Sequence, residues 1–241
     1  MAKASDGGGY GLRNRRSSPL KPVSLAVFVG AWIVLAGILI GVGELVNHSG
    51  AVQRFDNHVT SFVVAHRTAG LNAVMKTLTW LGSWVAVLVV AEIVLVLVLR
   101  RRLSIGFLLL AVVAWAGTQG GTTLAKNVVQ RPRPPEDLRL VSAHGWSWPS
   151  GHTATATLVF AVLATVVWIL TTRTRLRLLA AVGWILVAVA VAFSRVELGV
   201  HWTTDVLASL VFTTVWLTAL GMIFGAVVTS TMSQSGEQPA T

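Results

Sequence analysis

The sequence predicts an all-α polytopic membrane protein with six transmembrane helices and one short interfacial amphipathic helix. Three observations predict it. The 241 residues are 54% hydrophobic with a mean hydropathy of +0.71, more apolar than soluble domains. The apolar residues come in blocks of membrane length, and the charged residues, 12% of the chain, lie in short groups between the blocks. Nineteen Lys and Arg against nine Asp and Glu give a formal charge of +10. Because the basic groups punctuate apolar runs instead of covering one face, they argue for orientation in a bilayer and against a nucleic-acid partner. The chain has no cysteine, which excludes a disulfide framework and a thiolate metal site.

Residues 1–22, rich in Gly, Ser, Lys and Arg without apolar periodicity, read as a disordered basic cytoplasmic tail. A first span runs from Val23 to about Val46, long enough at about 1.5 Å per residue to cross a hydrocarbon core of roughly 30 Å. It lacks the small-residue cleavage site of a signal peptide. Between Ala51 and Arg67, the residues Val52, Phe55, Val59, Phe62, Val63 and His66 recur at three- and four-residue spacings, with Gln53, Asp56 and Asn57 elsewhere. This is the pattern of an amphipathic helix lying in the interface. A second span covers Thr77 to Leu99 and stops at Arg100, Arg101 and Arg102; a third covers Leu103 to about Ala125. After a polar stretch, a fourth span covers Thr153 to Leu170, and a basic turn with Arg173, Arg175 and Arg177 leads to a fifth from Leu178 to Phe193. A polar island from Ser194 to Asp205 precedes the sixth span, Val206 to Val228, and residues 229–241 form a second disordered cytoplasmic tail.

Six spans put both termini on one side, and the positive-inside rule makes that side cytoplasmic, with the protein integral to the plasma (inner) membrane. Three loops then face outward: Asn47 to Lys76, Lys126 to His152, and Ser194 to Asp205. Two of them carry cations that topology does not explain, among them Lys126, Arg131, Arg133, Arg139 and Arg195. Such cations are candidates for ligand binding.

In Lys126-Asn-Val-Val-Gln-Arg-Pro-Arg-Pro134, a helix end followed by a Pro-stiffened turn can aim two cations at one point. A phosphate suits them, since Arg binds two oxygens at once and Lys acts as a point charge. Snorkelling cations that hold lipid headgroups explain this segment equally well by itself. Ser150, Gly151 and His152, directly before the fourth span, can present backbone N–H groups to an anion at a helix N-terminus. His152 adds a ring suited to proton transfer. In isolation, a Ser N-cap beside a bystander His is the simpler reading. In the island, His201 and Asp205 lie four apart and share a face of a helical start. The carboxylate can hold the imidazole tautomer that leaves the other nitrogen free as a nucleophile. Capping explains Asp205 but leaves His201 and Arg195 unassigned.

Taken together, Lys-x6-Arg-Pro, Pro-Ser-Gly-His and Ser-Arg-x5-His-x3-Asp resemble the three-part signature of the type 2 phosphatidic acid phosphatase superfamily. The resemblance covers about residues 23–228. It implies a six-span phosphatase domain in which Lys126, Arg133, Arg195, Ser150 and Gly151 bind phosphoryl oxygens. It further implies that His201 attacks phosphorus to give a phosphohistidine, Asp205 orients it, and His152 protonates the departing oxygen. Arg131-Pro132 is a second Arg-Pro pair, but only Arg133-Pro134 lies at the six-residue interval from Lys126. Thr203 stands where many members have Pro, and Glu197 where an uncharged residue is more usual.

The expected activity is metal-independent and cofactor-free hydrolysis of a lipid phosphate or diphosphate drawn from the bilayer. Undecaprenyl diphosphate is slightly favoured over phosphatidic acid or phosphatidylglycerophosphate. Phosphoryl transfer to another acceptor is a further outcome that a phosphohistidine permits. An anionic-lipid transporter or binder is the reading from a different class; it needs the cations but not His152, His201 and Asp205, and no internal repeat supports a transporter.

Overall fold

The computed structural model describes residues 22–236, with side chains from 25 to 225; of the predicted tails at 1–22 and 229–241, residues 1–21 and 237–241 lie outside the described residues, and 229–236 belong to the last helix. Among the described residues eight α-helices form in chain order: α1 (Pro22–His48), α2 (Gly50–Ala65), α3 (Ala69–Leu78), α4 (Trp84–Leu99), α5 (Ile105–Val129), α6 (Gly151–Leu170), α7 (Thr174–Glu197) and α8 (Thr203–Gly236). Five of them, α1, α5, α6, α7 and α8, are long and apolar enough to cross a membrane, and α3 with α4 supplies a sixth crossing if the bent pair counts as one. The all-helical membrane class expected from the composition is what the chain adopts.

Short polar residues set the boundaries. Ser49, Thr68, Ser83, Ser104 and Ser150 each accept a hydrogen bond from a backbone N–H two or three residues on, satisfying donors that a helix start leaves open. At its other end α5 stops at Gln130, which is left-handed at φ 50°, just before Pro132 forbids further helix. The helices run antiparallel, so the C-termini of α5 and α7 and the N-termini of α6 and α8 share one end of the bundle. Arg100 to Arg102 and Arg173 to Arg177 lie at the other.

The second predicted span is not one helix. α3 ends at Leu78, a 3-10 turn covers Thr79–Gly82, and α4 restarts at Trp84 with a bend of 47°. The break has two local causes. Ser83 is extended (φ −90°, ψ 172°) and caps α4, while Gly82 packs directly on the His152 backbone carbonyl, where a Cβ would collide. The turn is thereby pressed against the start of α6. α6 sits at the centre of the bundle, packed on α4, α5, α7, α8 and this turn. Its first two turns, Thr153, Ala154, Thr155, Ala156 and Thr157, are small and buried, which lets neighbouring backbones approach. Outward-facing Ile33, Val34, Leu186 and Val211 are exposed, as a hydrocarbon solvent allows.

Other boundaries move as well. α5 runs four residues past Ala125, and α8 continues beyond Val228 to Gly236. α7 carries on through Ser194, Arg195, Val196 and Glu197, all buried, so the polar island contracts to a loop of Leu198 to Trp202. Polarity marked those residues as loop; burial against α2, α3 and α8 keeps them helical.

Candidate active site

At the shared end of the bundle, α5, α6, α7 and α8 bring Lys126, His152, Arg195 and Asp205 to a common point, and the two intervening loops add Arg133 and His201. Arg133 Nη1 lies 3.1 Å from His201 Nε2 and also donates to the Val200 carbonyl at 2.6 Å. On the far side of the ring, His201 Nδ1 lies 3.3 Å from Asp205 Oδ2. A guanidinium can only donate and a carboxylate only accept. The neutral imidazole therefore carries its proton on Nδ1, and the Nε2 lone pair points towards the cations.

Electrostatics keep that lone pair unprotonated. Burial, then the positive charges of Lys126, Arg133 and Arg195, push the His201 pKa well below its ordinary 6.5. The shift is downward, so the ring stays neutral as pH falls through 6.5 and protonates only in stronger acid. In protein carrying 15N-labelled imidazoles, the resonances lost in H201Q should retain the Nδ1–H pattern from pH 8 down to 6. A midpoint at 6.5 for those signals would contradict the geometry.

Lys126 donates to the Trp146 carbonyl at 2.9 Å and to the Ser147 carbonyl at 3.4 Å. Arg133 is held by the carbonyls of Gly145 and His144 at 2.9 and 3.0 Å, and its own pKa is lowered chiefly by burial, with Asp205 opposing. Arg195, only 5% exposed, donates to Thr79 Oγ1 at 2.6 Å and leaves Nε unpartnered. Among the described residues none of these three cations has a carboxylate within ion-pair distance. Carbonyl dipoles around Lys126 and Arg133, and a hydroxyl at Arg195, fix their positions without cancelling their charge, which leaves the three cations able to take up an anion.

His152 lines a cavity of about 540 Å³ beside Gly151 and feels the charges of all three cations. Gly151 has open space where a side chain would stand, which leaves the N-terminal amides of α6 approachable. Ser150 is fully buried, and its Oγ accepts from Thr153 N and Oγ1 at 3.4 and 3.0 Å, so the hydroxyl caps α6.

Two residues that spacing did not single out complete the site. Arg131, set aside in favour of Arg133, is 1% exposed and donates to Asp205 Oδ1 and to Asp56 Oδ2, both at 2.7 Å. Its guanidinium also donates to Thr204 Oγ1 at 2.8 Å and lies 5.7 Å from the centre of the Trp202 ring. Thr204 closes the circuit, donating from its backbone N and hydroxyl to Asp56 at 3.0 and 2.6 Å. Asp205 Oδ2 accepts from Trp202 N at 3.0 Å. Asp56, read as part of the polar face of an interfacial helix, is instead fully buried. Through Arg131, α2 thus ties Asp205, the carboxylate that faces His201, to the rest of the fold. Glu197 is buried at the end of α7 with Oε1 lacking a hydrogen-bond partner; Arg67 binds its backbone carbonyl, and nothing in the structure explains the carboxylate.

The PAP2 superfamily profile matches residues 106–229, the stretch that carries all three motifs. Phosphatidylglycerophosphatase B of Bacillus subtilis (strain 168) is 33% identical over 193 residues, 78% of this chain and 86% of that protein. Among solved structures, the transmembrane PAP2-type phosphatidylglycerolphosphate phosphatase from Bacillus subtilis superposes with a TM-score of 0.65 at 27% identity. The match covers 84% of this chain and 94% of that one. With the fold, the motifs and these relatives in agreement, the chain belongs to the PAP2 superfamily, as one of its membrane-embedded lipid phosphate phosphatases.

Proposed function

We propose that the chain hydrolyses the phosphate monoester of a glycerolipid, of the phosphatidylglycerophosphate or phosphatidate kind, through a phosphohistidine on His201 at the outer face of the plasma membrane. One observation carries the reading: three cations without carboxylate partners face the unprotonated Nε2 of an imidazole whose other nitrogen faces Asp205. Lys126, Arg133 and Arg195 hold the phosphoryl oxygens, together with the α6 amides at Gly151. Nε2 attacks phosphorus, the bond to the lipid oxygen breaks, and His152 gives that oxygen its proton; the bound phosphate's negative charge favours the imidazolium form of His152. Water then attacks phosphorus, the P–N bond breaks to release phosphate, and His152 takes up the water's proton. Converging cations stabilise charge in both steps.

A lipid binder would use the cations but has no need of an oriented imidazole. A polyprenyl diphosphate satisfies the same anion site, and the sequence alone leaned towards it; the similarity to a phosphatidylglycerophosphatase moves the preference to glycerolipids. Purified protein in detergent with chelator should release phosphate from phosphatidylglycerophosphate or phosphatidate at least about tenfold faster than from a C55 polyprenyl diphosphate. The reverse ranking would return the polyprenyl reading. Orientation follows from the basic residues at the opposite end of the bundle. Because the chain has no native cysteine, a single cysteine at Ser142, in the exposed loop before α6, should react with a membrane-impermeant maleimide on intact cells. Protection there with labelling in inverted vesicles would reverse the topology.

A further inference from the structure

Below His152 the helix surfaces are not uniformly apolar. Gln119 of α5 donates from Nε2 to Thr155 Oγ1 of α6 at 3.0 Å, and both side chains line the cavity that holds His152 and Gly151. Thr155 lies three residues beyond His152 on the same helix, about 4.5 Å deeper along the axis. The same cavity runs into a second, almost wholly apolar one of about 300 Å³ between α4, α5 and α6; Val87, Leu88 and Trp115 line both. A polar amide inside a membrane-length helix is costly where hydrocarbon can reach it. Here one hydrogen bond to Thr155 leaves the second amide N–H and the threonine O–H available as donors. Ser83, the other hydroxyl in the cavity wall, already donates to the Trp80 carbonyl and caps α4.

We propose that Gln119 and Thr155 form a subsite that donates hydrogen bonds to the ester carbonyls of a glycerolipid whose acyl chains occupy the apolar cavity between α4, α5 and α6. The inference rests on the glycerolipid reading above. Its chemistry is selective: in phosphatidate an ester carbonyl is a good acceptor a few bonds from the scissile oxygen, an ether oxygen is a weaker one, and a polyprenyl chain offers none. The subsite stands apart from the phosphate cradle, one helical turn below the proton donor, and is continuous with the space for the tails. That continuity fixes the lipid's direction, phosphate at the cations and chains between the helices.

The test compares diacyl phosphatidate with its dialkyl ether analogue in mixed micelles, for the wild type, Q119L and T155V. Leu keeps most of the Gln volume, and Val keeps the Thr shape without its hydroxyl. The wild type should favour the diacyl lipid in kcat/KM, and Q119L should cut the diacyl value by about tenfold more than the dialkyl value, chiefly through KM. T155V should act in the same direction. Equal losses on both lipids would assign the pair a packing role and overturn the proposal, as would a wild type indifferent to the ester. Failure of the underlying reading has a different signature, visible in the wild type alone: phosphate release from polyprenyl substrates and none from either glycerolipid.

Discussion

Replacing His201 with Ala or Gln should abolish phosphate release from phosphatidate, lowering kcat at least about 10⁴-fold, as loss of a covalent nucleophile does. The side chain sits in the loop between α7 and α8, with contacts to one arginine and one carboxylate, so folding and membrane insertion should survive the change. Rapid acid-free quenching of the wild type with 32P-labelled lipid should trap label in an acid-labile, alkali-stable bond, and H201Q should trap none. Asp205→Asn leaves the ring in place but removes the charge that favours the Nδ1–H tautomer and the cationic phosphohistidine. It should therefore form the phosphoenzyme about 10²- to 10⁴-fold more slowly. Wild-type labelling of H201Q would sink the assignment, since another residue would then carry the phosphoryl group.

Arg131→Met should be the most destabilising single change at this end of the bundle. It strips the shared cation from two carboxylates that are fully buried, Asp56 and Asp205, and breaking a buried pair from one side costs about 3–5 kcal/mol. Desolvation falls on whatever charge is left, so removing that charge should recover part of the loss. R131M/D56N, with one carboxylate fewer, should melt in detergent between R131M and the wild type. A melting temperature for R131M within a degree of the wild type would show that the network contributes nothing. Surviving R131M protein should also turn over slowly, since Asp205 Oδ1 has lost its anchor and Oδ2 no longer has a fixed approach to His201.

Much of this site was legible in the chain because its chemistry lies in local patterns. Lys126 with Arg133, Gly151 with His152, and Arg195 with His201 and Asp205 each fall within short segments at the ends of apolar blocks, and the structure brings these residues together. Ser150 was legible as either a ligand or a cap, and the structure shows its buried hydroxyl capping α6. Arg131 and Arg133 are harder. The two Arg-Pro dipeptides look alike, and spacing identifies the one that faces His201 but says nothing of where the other goes. Its partner Asp56 is 75 residues away on a helix whose periodicity looks interfacial, and a hydrophobic pattern cannot separate a polar residue in water from one in a buried ion pair.

The sequence by itself determined the class and the family. Block lengths match a bilayer, and three motifs at the ends of apolar blocks carry the residues from which the proposed nucleophile, its carboxylate, the proton donor and the anion cradle are drawn. Only the tertiary structure decided the bend at Ser83, the helical course of α7 through Glu197, the burial of Asp56 with Arg131, and the polar pair Gln119 and Thr155 beneath the site. Each of these depends on which surfaces touch. Hydropathy records how a residue would partition between water and oil, whereas a carbonyl against Gly82, or a guanidinium shared by α2 and α8, is a contact between distant segments that exists only once the helices have packed.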